Sequence, residues 1–524
     1  MPLFKGSRVL RLFVPALRGP SRPTQAAIAL SPRSDAPLLR LLNLALRLAG
    51  RFALLWAAFA CASFLNWMQA TFGDVSLGQI LFHWRYLGAT GSIGKVYATE
   101  FVVQCLLWPL VGALLAVWFE RRAILPLIER IAVNWRHWLS RALALLPALV
   151  VVGSITVLAW RTSAVQFIWP KSDSGYFATH YVPPATAKVG AGKPMNLVLI
   201  YVESLESSYA RADVFGRDLL KSLSDLQPLS FETYDQLPGT GYTMAAIVST
   251  QCGVPMQMVG FLDWQKQGEQ TQHFLPRAVC LGDILASQGY RNVFMGGAAL
   301  EFSGKGKFLS QHRFGDAYGR REWLQLGIPK SRLSGWGLHD DDLFAQAKSK
   351  LRELHEAGQP FNLTLLTVDT HWPAGYVSPS CKERNMTALD QVVECTTAMV
   401  ADLIVFARVS GYDEDTNIVV IGDHLSPPNS LSGSLSKAGK RTIYNAFFAR
   451  SQPKPNRSTI VHFDMLPTIL DFIGLRPEGG RAGLGFSAFG TPPVPFPTAR
   501  SREQMAEHTM TPSAAYLELW EPAK

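Results

Sequence analysis

Four short segments of this chain end in residue types that hold divalent cations and handle phosphate. Glu203 closes the apolar run 195–202, with Ser204 and Glu206 just beyond it. Thr243 follows the glycine-rich turn 238–242. Asp369 and His371 follow the run 361–368, and the adjacent pair Asp423 and His424 follows 417–422. Two carboxylates and an imidazole make a mixed oxygen and nitrogen donor set, suited to zinc or manganese. A threonine hydroxyl is a weak nucleophile at neutral pH, and a bound cation lowers its pKa. A hydroxyl at a helix start, as Thr243 would be, is well placed to meet a phosphate. Each residue also has a plain reading: Glu203, Thr243 and Asp423 as helix caps, and His371 as a buried structural imidazole. Lys305 and Lys307 lie in Ser-Gly-Lys-Gly-Lys, which lacks the spacing of a nucleotide-binding P-loop. A solvated basic loop is the plain reading there.

Strands must deliver these groups. The runs at 195–202, 361–368 and 417–422 are rich in Val, Ile and Leu, as strands buried on both faces are, and 291–297 reads as a further short strand and turn. Their alternation with helical stretches up to residue 475 predicts an α/β fold with a mainly parallel sheet flanked by helices. Such sheets place ligands at the carboxyl ends of their strands. A helix is expected to start at Thr243, where free N–H groups attract anions. Gly422 permits a close backbone approach before Asp423.

The chain has 524 residues, is 48% hydrophobic and carries a net charge of +10, unevenly placed. Residues 1–51 hold nine Lys and Arg against one acid, Asp35. That segment precedes apolar stretches at 52–69, 101–119 and 142–160, each near the roughly 20 residues that cross a bilayer. The first could begin earlier, near Leu41, with Arg47 and Arg51 snorkelling. The basic segment therefore reads as topology-setting charge, and nucleic acid is not expected as a partner. Arginines at 121, 122, 130, 136 and 141 place the loop 120–141 on the cytoplasmic side. Three crossings then put everything after Arg161 outside. Cys252, Cys280, Cys381 and Cys395 fall in that outer part. The natural pairings are Cys252 with Cys280 and Cys381 with Cys395, although three connectivities are open to four cysteines. Two disulfides agree with an oxidising compartment. The expected organisation is a basic segment with about three transmembrane helices over 1–164 and a linker over 165–194. A catalytic domain over 195–500 and a C-terminal tail over 501–524 complete it.

The ordered set Tyr-Val-Glu203-Ser-Leu, Gly-Thr-Gly-Tyr-Thr243-Met-Ala, Val-Asp-Thr-His371 and Gly-Asp423-His424 resembles the lipoteichoic acid synthase-like, sulfatase-fold branch of the alkaline phosphatase superfamily. It is most similar to the membrane phosphoglycerol transferases that decorate periplasmic glucans. Thr-Gln-Cys252-Gly-Val-Pro, Phe-Met-Gly-Gly297 and Phe463-Asp-Met-Leu-Pro-Thr add to the resemblance, which covers roughly 195–475. It implies Glu203, Thr243, Asp423 and His424 as ligands of one divalent metal, Mn2+ or Zn2+, with Thr243 also the nucleophile. It implies His371 beside the reacting phosphate. Lys305, His371 and Trp372 are expected to contact substrate. The implied partners are an anionic phospholipid donor, a periplasmic or surface glycan acceptor and the bacterial inner membrane, with the catalytic domain periplasmic. Formylglycine sulfatases need Cys-x-Pro-x-Arg at the nucleophile. Cys252-Gly-Val-Pro-Met departs from it at both fixed positions after the cysteine.

Three other readings stay open at this level. One is a phosphoethanolamine transferase acting on lipid A or another surface glycan. Another is a phosphodiesterase or phosphatase of the same fold. The last is an inactive envelope binding protein.

Overall fold

The structure is a computed structural model. It describes residues 36–73, 75–85, 92–168, 172–184, 194–257, 273–490, 499–511 and 513–521. Its centre is a six-stranded sheet built from β1 (Asn196–Val202), β2 (Arg291–Gly296), β3 (Asp316–Tyr318), β4 (Phe361–Leu366), β5 (Thr416–Gly422) and β6 (Asn445–Phe448), in the order β3-β2-β4-β1-β5-β6. All neighbours are parallel except β5 and β6. The expected mainly parallel sheet is therefore present. β1, which ends at the first candidate carboxylate, is central.

β1 also explains why its sequence is apolar without interruption. Side chains alternate across a strand. Leu197, Leu199 and Tyr201 enter one core cluster, with Ile247 and Val248 of helix α1 (Thr243–Cys252). Val198, Ile200 and Val202 enter another, with Phe344 and Leu351 of α2 (Asp340–Glu356) and Val400 and Leu403 of α3 (Leu389–Val409). Helix α4 (His462–Phe472) joins the first cluster through Phe463, Leu466 and Leu470. Helices cover both faces, so both sets of alternating residues must be apolar.

Three helices are long and apolar enough to cross a membrane: Leu39–Phe72, Tyr97–Glu129 and Trp135–Arg161. The first does begin well before residue 52. Trp108, Leu115, Trp118, Leu149 and Trp160 point outward, as lipid-facing side chains do. At the start of and within the expected linker 165–194, Ala164–Ile168 and Tyr176–His180 form short helices. The C-terminal stretch, which reads from sequence as a polar tail or an edge helix, does carry a helix and is also drawn inward. It contains the helix Ala499–His508, and Tyr516 is fully buried beyond it. The Tyr516 hydroxyl donates to the Pro255 carbonyl at 2.9 Å and accepts the Gln257 N–H at 3.0 Å. Three large apolar residues, Tyr516, Leu519 and Trp520, draw this stretch into the core.

Both disulfides have the shorter-loop connectivity, Cys252–Cys280 and Cys381–Cys395. Cys252 ends α1, and Cys280 precedes the helix Leu281–Ser287. Cys252→Ser together with Cys280→Ser is expected to lower unfolding stability by about 2–5 kcal/mol. Denaturant titration under non-reducing conditions measures it.

Candidate active site

The strand register brings the candidate residues together. Val202 of β1 pairs with Gly422 of β5, and Tyr201 pairs with Leu366 of β4. The residues that follow, Glu203, Asp423 and Thr367, therefore leave adjacent strands at one level. A Cβ at residue 422 would lie 2.0 Å from the Leu205 carbonyl oxygen, so only glycine lets the chain turn there. Ser204 adopts φ +55°, a left-handed conformation rare outside glycine. That turn aims its N–H at Asp423 Oδ1, 2.7 Å away. The His424 N–H donates to the same oxygen at 2.9 Å. Glu203 is held by its own N–H, donated to Thr367 Oγ1 at 2.9 Å, and by its carbonyl, which accepts from Thr370 Oγ1 at 2.6 Å.

Glu203, Asp423 and His424 are all buried, and one ligand atom from each lies within 4.8 Å of the others. His424 Nε2 is 3.6 Å from Glu203 Oε1 and 3.4 Å from Asp423 Oδ2. The Thr243 hydroxyl donates to Glu203 Oε2 at 3.3 Å. His424 Nδ1 faces the Leu425 carbonyl at 2.9 Å, which makes Nδ1 the protonated nitrogen and leaves the Nε2 lone pair facing the carboxylates. Asp423 Oδ2 is buried without a hydrogen-bond partner.

Two anionic groups at this spacing repel one another. Burial first, and Glu203 second, push the Asp423 carboxyl up to about 6. For His424, burial opposes protonation, but Asp423 and Glu203 together outweigh it and raise its pKa. The three groups could hold a cation. An unpartnered carboxylate oxygen, a second carboxylate and an oriented imidazole lone pair fit a divalent metal.

The remaining expected residues differ in their surroundings. His371 Nδ1 faces the Trp372 carbonyl at 2.8 Å, so its Nε2 carries the lone pair. Its ring lies 4.4 Å from that of Trp336, centroid to centroid. Burial lowers the His371 pKa to about 4, and His424 adds to the effect, so the ring is neutral at pH 7. Lys305 is 3% exposed, and this corrects the solvated-loop reading of that lysine. Burial brings its ammonium down to about 8, while the Glu203 and Asp423 charges hold it up. Among the described residues, none forms a hydrogen bond or ion pair with it. Trp372, expected as a substrate contact, is 5% exposed, with its indole 5.7 Å from the Phe72 ring and 5.4 Å from the Tyr97 ring.

Three supporting residues, His462, Arg441 and Gln236, escaped the sequence reading, and a fourth, Glu206, was placed just past Glu203 without a role. His462 Nε2 donates to the Asp423 carbonyl at 2.8 Å. Glu206 accepts from the Ser426 N–H at 2.9 Å and from Arg441 Nε at 2.8 Å, and Arg441 Nη2 donates to the Ser426 carbonyl at 2.6 Å. This clamp fixes the turn two residues past His424. Gln236 Oε1 accepts the Leu425 N–H at 2.7 Å. Glu206 stood close to Glu203 in sequence, and His462 adjoins the Phe463-Asp motif; Arg441 and Gln236 gave no local signal.

Residues 195–475 match the sulfatase family. Phosphoglycerol transferase I of Escherichia coli K12 is 34% identical over 346 residues, which is 63% of this chain and 44% of that protein. Phosphoglycerol transferase I of Shigella flexneri gives the same figures. The chain thus spans less than half the length of these curated relatives. Among solved structures, the lipoteichoic acid synthase LtaP of Listeria monocytogenes is similar, with 15% identity and a TM-score of 0.46 over 64% of this chain and 95% of that one. Cys252, whose surrounding run fails the Cys-x-Pro-x-Arg motif, is bonded to Cys280 and has no free thiol.

Proposed function

This chain belongs to the sulfatase family, and on that premise we propose that it is a membrane-anchored, metal-dependent phosphoglycerol transferase with Thr243 as its nucleophile. One observation carries the reading: Thr243 Oγ1 lies 3.3 Å from a carboxylate of the buried Glu203, Asp423 and His424 cluster. Glu203, Asp423 and His424, joined by Thr243, would hold one divalent ion, Mn2+ or Zn2+. Bound there, such an ion lowers the threonine pKa and offsets charge on the phosphoryl oxygens.

The donor is an anionic phospholipid, phosphatidylglycerol, and the acceptor a periplasmic glycan hydroxyl. The chain is oriented in the inner membrane with its catalytic domain outside. In the first half-reaction the Thr243 oxygen attacks phosphorus, the bond from phosphorus to the diacylglycerol oxygen breaks, and the proton given up by the Thr243 hydroxyl is balanced by the one that diacylglycerol takes. In the second, an acceptor hydroxyl attacks phosphorus and Thr243 leaves. His371, neutral with its Nε2 lone pair open, suits accepting the acceptor's proton. Lys305 suits an anionic headgroup, since its buried ammonium has no resident partner among the described residues.

The test is to expose the purified full chain to phosphatidylglycerol and, separately, to phosphatidylethanolamine without acceptor, and weigh it. A mass gain of one glycerol phosphate on the peptide holding Thr243 supports the reading. A phosphoethanolamine adduct, or no adduct with steady water-dependent turnover, replaces it with one of its rivals.

A pH dependence follows from Lys305. Its charge is present below about 8 and lost above. The kcat/KM for donor is expected to fall about tenfold per pH unit beyond that point. Lys305→Arg, charged throughout the range, should move the descending limb upward.

A further inference from the structure

The end of the first membrane helix touches both loops that carry the site's histidines. Phe72 is the last residue of the span Leu39–Phe72, and Tyr97 is the first of Tyr97–Glu129. Their rings lie 5.9 Å apart, and both pack against Trp372, the neighbour of His371. The next residue, Gly73, sits so close to Pro428 that a Cβ there would fall 2.8 Å from the proline Cδ. Pro428 lies four residues past His424. The aromatic contacts continue into the helix pair, from Phe72 to Trp67 at 5.4 Å and from Trp67 to Phe101 at 5.5 Å. The third span ends on the same side: Arg161 Nη1 donates to Gln69 Oε1 at 2.7 Å, and the Leu77 N–H to the Thr162 carbonyl at 2.8 Å. Aromatic rings at helix ends sit at the lipid–water boundary.

We propose that Phe72 and Tyr97 are positioning residues that seat Trp372 at the membrane boundary, and that this seat makes the enzyme selective for bilayer-embedded donors over the same headgroup dissolved in water. The inference rests on the proposed lipid donor. A donor held in the bilayer reaches the site at an effective concentration set by how firmly the site is held to that surface. Loosening the seat lets the His371 loop leave the boundary. It does not touch a donor that arrives from water.

The full chain is reconstituted in vesicles of dioleoyl phosphatidylglycerol, or in phosphatidylcholine vesicles with dihexanoyl phosphatidylglycerol dissolved below its micelle concentration. Released diacylglycerol is measured for the wild type, Phe72→Ala, Tyr97→Ala and Tyr97→Phe. Both alanine variants are expected to lose about tenfold on the embedded donor and less than about twofold on the dissolved one, with Tyr97→Phe retaining the wild-type ratio. Retained turnover of the dissolved donor also shows that the variants are folded. Equal losses on both donors, or no loss on either, overturn the proposal. If the wild type uses only dioleoyl phosphatidylethanolamine, the phosphoglycerol reading fails and the seat is judged by the same ratio on that lipid. If it uses neither lipid, both fall.

Discussion

Thr243→Ala is expected to abolish donor turnover and the covalent adduct together. Removing a nucleophile from a preorganised site costs roughly four to six orders of magnitude in kcat. The stability cost should be small, about 1 kcal/mol or less, because Thr243 is the first residue of α1, is partly exposed, and gives up one 3.3 Å hydrogen bond. That contrast separates the two roles a threonine can have at a helix start. A cap loses stability and keeps turnover; a nucleophile does the reverse. Thr243→Ser keeps a hydroxyl on the same carbon and should keep the adduct, now on serine. Intact mass after donor exposure and a denaturant titration of the same samples decide the matter. An alanine variant that still turns over donor with metal bound would remove Thr243 from the chemistry.

Asp423→Asn is expected to empty the cation pocket. The amide keeps the shape of the carboxylate, and its oxygen can still accept the Ser204 and His424 N–H groups. What it loses is the charge that a divalent ion needs, since neutral amides are poor ligands beside carboxylates. Turnover should fall by roughly three orders of magnitude. A chelator should do the same to the wild type, and the ion that best restores it identifies the metal. A second readout does not involve activity. In the metal-free wild type, burial and Glu203 raise the folded Asp423 pKa to about 6, above its ordinary value of 3.8. The folded state therefore holds its proton more tightly than the unfolded chain. This contribution to stability is fully present below the unfolded pKa and is lost as pH rises through about 6. At pH 7 the metal-free asparagine variant should be at least as stable as the metal-free wild type. With metal added, only the wild type should gain stability. Equal metal-induced shifts in melting temperature for both proteins would show that the ion binds elsewhere.

Much of this site could be read along the chain, because its signals are local. A run such as Leu197–Val202 is apolar at every position because helices cover both sides of β1, and that burial is written in consecutive residues. A charged group directly after such a run must stand at the strand's end. Glu203, Asp423 and His424 were therefore legible as strand-end residues, and Thr243 as a helix start. Family motifs supplied the further step of assigning them to one ion. Three stretches of membrane-crossing length, and the rough span of each, were equally legible from composition. Tertiary structure decided what composition leaves open. The Val202 and Gly422 register sets Glu203 beside Asp423, and no residue near either one encodes that pairing. Lys305 lies in a glycine-rich, basic stretch that reads as exposed, yet burial depends on what folds over it. Trp372 follows His371 directly, but a side chain's direction is set by its packing partners, here Phe72 and Tyr97, about three hundred residues earlier in the chain. Arg441 joins Glu206 across a separation of 235 residues. Local sequence specifies which groups a strand delivers and at which end; their mutual distances, tautomers and protonation come from contacts between segments far apart in the chain, where periodicity carries no information.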